Sequence, residues 1–249
     1  MLWISHRGES IDAPENTLDA FKLSLDRNTS GMECDIRLTA DKKLVVCHDS
    51  DTKRTCGGAS MKIEESTYDE LQKLCANNNK PGFENARIPL FGETIQHLGN
   101  DRLYFIEIKE DDPNVIDALV EELDKAQLPP EKVVMISFKN NIVKLYKHRF
   151  PNRKAYFLAN FWVSQDGTWW PSVDRLIEEL NEMGADGVDI RANFTFLNQE
   201  YVDKVKAAGF EFSVWTVDDP ATAKRCIDIG INIITSNCAA HIRDSLAQS

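Results

Sequence analysis

The feature that most constrains the fold is a regular alternation of short apolar runs with amphipathic segments along the chain. Short apolar runs are typical of buried strands, and apolar positions three and four residues apart are typical of helices. Strand alternating with helix predicts a parallel sheet, and eight such units favour closure into a (β/α)₈ TIM barrel. The predicted strands are Leu2–Ser5, Met32–Leu38, Tyr104–Lys109, Val133–Ser137, Ala155–Ala159, Gly187–Ile190, Phe212–Thr216 and Ile231–Thr235.

Helical patterns follow most of these strands. Asn16 is a candidate N-cap for the first, while Gly184 and Gly209 lie where later helices would end. No GxGxxG fingerprint supports an open dinucleotide-binding sheet, and 249 residues suit one barrel domain. The predicted helices are Thr17–Leu25, Asn114–Lys125, Asn141–His148, Val173–Met183, Glu200–Ala208 and Ala221–Ile229.

One stretch, from Asp49 to Pro89, shows no clear strand–helix unit. It contains two adjacent glycines, a run of three asparagines and a Pro-Gly pair, all typical of loops. We therefore predict a single domain over residues 1–249 with an insertion at about 49–89 beside the second strand. Val45, Val46 and His48 would lie on an added strand next to it. Insertions of this length are usually functional, which favours a lid or a specificity element.

Bulk composition excludes some partners and leaves others open. The net charge of −11 argues against broad binding to nucleic acid or to an anionic membrane. No apolar run reaches the roughly 18–20 residues of a membrane helix. The chain shows no secretory leader, which favours the cytoplasm, although an exported form with its leader removed would look the same. The six cysteines form no CxxC pair, so we expect reduced thiols. A homodimer remains open.

Paired carboxylates on two predicted strands indicate a cation site. Glu33 and Asp35 are two residues apart, so both project to one face of their strand, while the intervening Cys34 packs on the other. Two inward carboxylates are costly without a cation, and a hard divalent ion with oxygen ligands removes that cost. Glu107 on the next barrel strand is a third candidate ligand. Lys109 shares its face and could contact a phosphate, or simply pair with Glu107.

Two histidines at strand ends are candidates for acid–base chemistry. His6 is followed by Arg7, whose guanidinium suits phosphate, and by a glycine that lets the chain turn closely. His48 follows a second apolar run. Two imidazoles with pKa values near neutrality can act as base and acid on opposite sides of one phosphorus atom. The alternative is that each histidine is structural. Glu15, just before the first helix, could hold Arg7 in place.

Aromatic residues supply further candidates. Trp215 on the seventh predicted strand could form an apolar wall of a substrate pocket or could be ordinary core. Trp162 and Trp169 lie in the region after the fifth strand, where aromatic side chains are less expected as core. They could form a surface that faces lipid or substrate.

The string His6-Arg7-Gly8, followed after five residues by Pro14-Glu15-Asn16-Thr17, resembles the opening signature of the glycerophosphodiester phosphodiesterase family. The resemblance covers almost the whole chain in order, and its first blocks are highly specific. The chain departs from the family pattern at Thr52, Cys56 and Ser236, outside the candidate catalytic set. The resemblance continues through Glu33–Asp41, Leu44–Asp49, Arg54-Thr55, Ile88-Pro89, Ile106–Lys109 and Val214–Val217.

This resemblance implies a TIM barrel with an insertion after the second strand and an enzyme of glycerol and lipid metabolism. It implies that one histidine takes a proton from the attacking glycerol hydroxyl and the other protonates the departing alcohol, after which water opens the cyclic phosphate. The roles that it implies are an acid–base pair in His6 and His48, ligands of one Mg²⁺ or Ca²⁺ ion in Glu33, Asp35 and Glu107, and phosphate contacts in Arg7 and Lys109.

Three functions follow as expectations. The first is metal-dependent hydrolysis of small glycerophosphodiesters to glycerol 3-phosphate and an alcohol. The second is a lipid-directed phosphodiesterase on the same barrel, of lysophospholipase D or sphingomyelinase D type, which an apolar groove rimmed by loop aromatics would favour. The third is a barrel that only binds phosphodiesters, which the loss of a histidine or carboxylate would have indicated. None of these residues is lost.

Overall fold

Eight parallel strands close into a barrel in the computed structural model of this protein, which describes residues 1–98, 101–165 and 167–248. The ring runs β1-β2-β4-β5-β6-β9-β10-β11 and closes because β1 pairs with both β2 and β11. The strands are β1 (Leu2–His6), β2 (Gly31–Leu38), β3 (Leu44–Val46), β4 (Leu103–Ile108), β5 (Val133–Ser137), β6 (Lys154–Ala159), β7 (Trp162–Val163), β8 (Trp169–Trp170), β9 (Gly187–Arg191), β10 (Glu211–Trp215) and β11 (Ile233–Ser236).

The predicted barrel is therefore confirmed. Each of the eight predicted strands matches a barrel strand, and the largest displacement of a boundary is from Ile231 to Ile233 at β11. Helices surround the ring, and none in the described part of the chain is long and apolar enough to cross a membrane. The helices are α1 (Leu18–Asp26), α2 (Tyr68–Leu71), α3 (Phe91–Leu98), α4 (Pro113–Lys125), α5 (Asn140–Arg149), α6 (Val173–Met183), α7 (Gln199–Ala207), α8 (Pro220–Asp228) and α9 (Ala239–Ala247).

At the helices, one prediction is wrong and three helices were not predicted. Asn16 does not cap α1. Thr17 is the N-cap, whereas Asn16 has a left-handed φ of 57° and turns its amide towards Asp35. An N-cap needs extended backbone, which Asn16 does not have. Helices α2, α3 and α9 were not predicted. Cys238 precedes α9 without a side-chain cap, so the usual start signal is missing there.

Strand alternation divides the apolar residues into two layers. On β2, Met32, Cys34 and Ile36 point outwards into the core between barrel and helices, which confirms the packing role predicted for Cys34. Glu33 and Asp35 point inwards. The barrel interior is filled by a smaller set of apolar side chains, namely Ile4, Phe105, Val134, Ile136, Tyr156, Leu158 and Ile233.

The segment 49–89 packs beside the barrel mouth around a small core of its own. The predicted added strand is present as β3 and pairs antiparallel with the end of β2, but His48 lies just beyond β3 rather than on it. The insertion reaches the loop after β1 through the Lys80 ammonium, which donates to the carbonyl of Ile11, and through Arg54, which pairs with Glu15. It therefore borders the face where the carboxyl ends of the strands open.

Candidate active site

A pocket of about 180 Å³ opens among the carboxyl ends of the barrel strands. In TIM barrels this face carries the functional residues, because the loops that leave the strands all meet there. One side of the pocket is charged and the other is largely apolar. The lining residues are His6, Arg7, Glu33, His48, Glu107, Lys109, Ile136, Phe138, Leu158, Asp189, Trp215, Thr216 and Thr235.

Three buried carboxylates form the centre of the charged side. Glu33 and Asp35 come from β2, and Glu107 on β4 is the register partner of Asp35. One oxygen from each of the three side chains lies within 4.8 Å of the other two. Parallel pairing at this register brings three acidic groups to one point of the barrel wall.

The proximity of these carboxyl groups shifts their pKa values apart. Burial and the neighbouring Asp35 charge raise the pKa of Glu33 well above its usual value. The same two causes raise the pKa of Glu107 to about 8. Burial alone would also raise the pKa of Asp35, but the Arg7 and Lys109 cations reverse the effect and lower it. The charged forms of Glu33 and Glu107 are therefore disfavoured beside Asp35, and a further cation would favour them.

Two cations flank the cluster. Arg7 Nε lies 3.1 Å from Asp35 Oδ2, and Arg7 Nη1 lies 2.8 Å from Glu15 Oε1, so Glu15 does hold Arg7 as predicted. Lys109 Nζ lies 2.7 Å from Glu107 Oε1 and 3.4 Å from Asp35 Oδ1. The ion pair expected as the alternative role of Lys109 is thus present. It leaves the ammonium at the pocket wall.

The backbone around Arg7 is fixed by close packing. Arg7 itself has a positive φ of 55°, and Gly8 follows with a φ of 80°. A Cβ on Gly8 would stand 2.6 Å from the backbone of Ala20 on α1, so only glycine lets the loop approach that helix. The backbone N–H of Arg7 donates to Glu33 Oε2 at 2.9 Å. The turn predicted after β1 therefore places both the Arg7 main chain and its side chain against the carboxylates.

His6 is held by the side-chain amide of Asn237, a residue that was not predicted. Asn237, just beyond β11, places Oδ1 2.7 Å from His6 Nδ1. An amide oxygen can only accept, so His6 carries its proton on Nδ1 and leaves Nε2 free, 3.8 Å from Glu33 Oε2. Asp218 in turn accepts from the Asn237 amide at 2.6 Å. Burial and the Arg7 charge lower the pKa of His6 to about 4.

His48 is fixed from both sides. Its Nδ1 lies 2.6 Å from Asp49 Oδ1, and its carbonyl oxygen accepts from Arg37 Nε at 3.0 Å and from Arg37 Nη2 at 2.7 Å. Arg37 is anchored by Glu110 at 2.7 Å. Burial lowers the pKa of His48, and the Arg7 cation adds to the effect. Both imidazoles thus have an oxygen at Nδ1 and present Nε2 as the remaining ring nitrogen.

The donor set fits a divalent cation. All three carboxylates are buried, and Asp35 Oδ1 accepts no hydrogen bond, although the Lys109 ammonium lies 3.4 Å away. Buried polar atoms without hydrogen bonds are rare, and a divalent cation would satisfy one that lies within an acidic cluster. Glu33, Asp35 and Glu107 would supply hard oxygen ligands.

The opposite wall of the pocket is built from aromatic and aliphatic side chains. Trp215 lines it as predicted, with its indole N–H donating to the carbonyl of Asp189 at 3.1 Å. Phe138, which was not predicted, packs edge-on against Trp215 at 5.6 Å between ring centroids. Trp162 and Trp169 are not among the lining residues. Trp169 stacks on Phe196 at the edge of the outer core, whereas Trp162 is exposed, so a role of this pair at the pocket is not supported and a lipid-facing surface stays a prediction.

Comparison with known proteins identifies the family to which this chain belongs. The model of the glycerophosphoryl diester phosphodiesterase family matches residues 6–240. The chain belongs to this family. A glycerophosphodiester phosphodiesterase of Caldanaerobacter subterraneus is 29% identical over 242 residues, covering 95% of this chain and 94% of its own. One from Bacillus subtilis is 28% identical over 256 residues, covering 95% and 83%.

The fold is shared with solved structures. A phosphodiesterase of Oleispira antarctica, solved with its product sn-glycerol-3-phosphate, superposes with a TM-score of 0.86 at 24% identity, covering 99% of this chain and 97% of its own. Membership of the glycerophosphoryl diester phosphodiesterase family thus agrees with the barrel and with the pocket. Seven of the eight predicted site residues line the pocket, and the eighth, Asp35, belongs to the carboxylate cluster, while their individual roles stay predictions.

Proposed function

We propose that this chain hydrolyses glycerophosphodiesters to glycerol 3-phosphate and an alcohol with the help of one divalent cation, Mg²⁺ or Ca²⁺. One observation carries the proposal: two histidines with free Nε2 atoms share a pocket with a buried cluster of three carboxylates and two cations. The relatives that the chain matches over most of their length are named for this activity. The cytoplasmic location and a homodimer remain predictions.

The proposed mechanism assigns each group a task. Arg7 and Lys109 contact the non-bridging oxygens of the phosphodiester. When bound, the metal supplies charge neutralisation at the phosphate. One imidazole Nε2 accepts the proton of the attacking glycerol hydroxyl, and the other imidazole, protonated on Nε2, gives its proton to the departing alcohol oxygen. Water then opens the cyclic phosphate with the two roles reversed, which restores both histidines.

Asn237 and Asp49 act in this scheme as positioning residues. Each holds Nδ1 of one histidine, so the imidazole cannot rotate and its Nε2 stays directed into the pocket. Correct orientation of an acid–base group accounts for a large part of its effect on the rate.

The lipid-directed alternative is not favoured. An apolar groove rimmed by the loop aromatics would have favoured it, and neither Trp162 nor Trp169 lines the pocket. The apolar wall that is present belongs to a small pocket beside the carboxylates.

The decisive experiment is a panel of steady-state rates on small glycerophosphodiesters and on lysophospholipids, measured with and without EDTA. We expect turnover of the small diesters, loss of turnover in EDTA, and recovery on adding Mg²⁺ or Ca²⁺. Full activity after exhaustive chelation would show that the carboxylate cluster does not act through a metal. Preference for lysophospholipids would overturn the substrate class.

A further inference from the structure

A second cavity, of about 650 Å³, lies on the rim of the barrel beside the active-site pocket. It is lined by residues at the carboxyl ends of β6 and β9, the strands that contribute Leu158 and Asp189 to the pocket wall. Arg191 is the last residue of β9 and pairs in register with Trp215 on β10. Side chains two residues apart on a strand project to the same side of the sheet, so Arg191 follows Asp189 towards the mouth of the barrel.

Two arginines that line this rim cavity have no anionic partner. Within the part of the chain that the structure describes, neither Arg191 nor Arg225 forms an ion pair or donates a hydrogen bond. All the other arginines do one or the other. None of the described residues that line the cavity is acidic. In a chain with 40 acidic and 29 basic residues, two unpaired cations in one cavity indicate a site for an anion.

The Arg225 guanidinium is held in place without the use of its N–H groups. Its Cζ lies 3.9 Å from the centroid of the Phe194 ring. Stacking of this kind engages the flat face of the cation and leaves the donors at its edge free. The half-buried side-chain amide of Asn160, just beyond β6, likewise has no hydrogen-bond partner among the described residues. Two guanidinium groups and one amide therefore offer their donors to the same cavity, and such donors bind phosphate and carboxylate oxygens.

The position of the rim cavity indicates which part of a substrate reaches it. The active-site pocket, at about 180 Å³, is smaller than most ligand sites, which measure roughly 300–1,000 Å³. The attacking hydroxyl belongs to glycerol, so the glycerol unit has to stay beside the phosphate within the pocket. A large departing alcohol therefore extends past the rim. The wall formed by Leu158, Asp189 and Trp215 leads from the carboxylates to Asn160 and Arg191.

We propose that Arg191 and Arg225, assisted by Asn160, bind a second anionic group on the departing alcohol. The protein then prefers glycerophosphodiesters whose alcohol carries a phosphate or a carboxylate. The inference rests on the proposed function and deepens it by naming the substrate class. A single ion pair exposed to solvent contributes little, so the preference arises because donors from separate elements of the fold act on one group.

The test compares glycerophosphoinositol with glycerophosphoinositol 4-phosphate. The two diesters share the glycerol, the reacting phosphate and the inositol ring, and they differ only in the second phosphate. We expect the native protein to have a kcat/KM at least ~5-fold higher for the phosphorylated diester, the upper end for an exposed charge pair. The difference should lie mainly in KM, because the contact is the same in the ground state and in the transition state.

Substitution of the two arginines should remove this preference. Arg191→Gln and Arg225→Gln should each reduce the kcat/KM ratio of the two diesters, and the double variant should bring it close to one. Arg225→Glu should reverse the preference, because a carboxylate in the cavity repels the second phosphate. Added salt should weaken the preference of the native protein, since exposed charges are screened.

Arg175→Gln is the matched control, because it removes the same charge from an exposed helix residue that lines neither cavity. It should leave the ratio unchanged. Circular dichroism and the thermal midpoint establish that each variant is folded. If the double variant keeps the native ratio, or if Arg175→Gln lowers the ratio as much as Arg191→Gln does, the two arginines do not form the proposed site and the inference is wrong.

Binding measurements separate this inference from the proposed function. In heteronuclear NMR spectra, myo-inositol 4-phosphate should shift the Nε–H signals of Arg191 and Arg225, whereas myo-inositol should shift neither. If the protein hydrolyses neither diester but shows these shifts, the proposed function fails and the anion site stands. If it hydrolyses both diesters equally well and the signals do not move, the inference alone fails. Shifts with inorganic phosphate, together with equal kcat/KM values for the two diesters, would assign the site to a free anion and overturn the substrate class.

Discussion

Replacing Asp189 with asparagine should stabilise the protein, and the gain should grow with pH. In the folded state burial raises the pKa of Asp189 from 3.8 to about 7, whereas in the unfolded chain water surrounds the carboxyl group. Between these two values the folded protein keeps a proton that the unfolded chain has released. Unfolding therefore releases a proton, and the free energy of unfolding falls as the pH rises.

The size of the effect follows from the shift. Each pH unit within the window costs about 1.4 kcal/mol of stability, so the loss between pH 4 and pH 7 amounts to about 4 kcal/mol. Above pH 7 the loss levels off, because both states are then ionised. An asparagine has nearly the same shape and no titrating proton. The unfolding free energy of Asp189→Asn minus that of the native protein should rise by this amount across the window.

The assay is urea unfolding at half-unit steps from pH 4 to pH 8.5, in chelator so that metal binding does not contribute. Taking the difference between the two proteins removes the titration of the carboxylate cluster, which both share. Asp203→Asn is the matched control, because this side chain on α7 is exposed in the folded protein. Its difference should stay flat. A flat difference for Asp189→Asn would refute the reasoning, because it would mean that burial does not hold the proton on this carboxyl group.

Four further predictions concern the site. His6→Ala and His48→Ala should each lower kcat by at least ~10²-fold with the fold intact, whereas His241→Ala, which does not line the pocket, should leave kcat unchanged. Retained rates per folded molecule would make the two histidines structural. Mg²⁺ or Ca²⁺ should raise the thermal midpoint of the native protein but not of Asp35→Asn, and equal shifts would place the ion elsewhere. Asn237→Ala should lower kcat more than it raises KM, because it frees the His6 ring; a pure KM effect would contradict a positioning role. Replacing Gly57–Gly82 with a short linker should change substrate preference more than barrel stability, because this segment packs in its own small core. Unfolding of the whole barrel would show that the segment belongs to the main core.

Part of the site could be predicted because it follows from local chemistry. The two-residue periodicity of a strand puts Glu33 and Asp35 on one face wherever that strand lies. Their neighbour Cys34 then points to the other face of the strand, where it is expected to pack against apolar side chains. The structure places it in the outer core. His6, Arg7 and Gly8 occur together in the sequence, so the turn at the end of β1 could be inferred from their order alone.

Other residues could not be found in this way. Asn237 and His6 are 231 positions apart, and an asparagine after a strand is ordinary in a sequence. Asp189 in Gly187–Arg191 reads as one acidic residue in a short strand, with no partner at a regular spacing. For Asn16 the local pattern predicted a role that the residue does not have. Its residue type and position predicted a helix cap, but its amide donates a hydrogen bond to Asp35, and Thr17 caps the helix instead.

The sequence by itself determined the order of strands and helices, the inward face of β2 and the family signature, because these depend on neighbours within a few residues. Only the tertiary structure decided which distant side chains share the pocket. Barrel closure brings β11 beside β1, which supplies Asn237 to His6. It also sets β9 across from β2, which places Asp189 on the opposite side of the barrel from the carboxylates, with its Oδ1 accepting no hydrogen bond. Contacts of this kind depend on the register of the whole ring, and a local pattern of residues does not encode it.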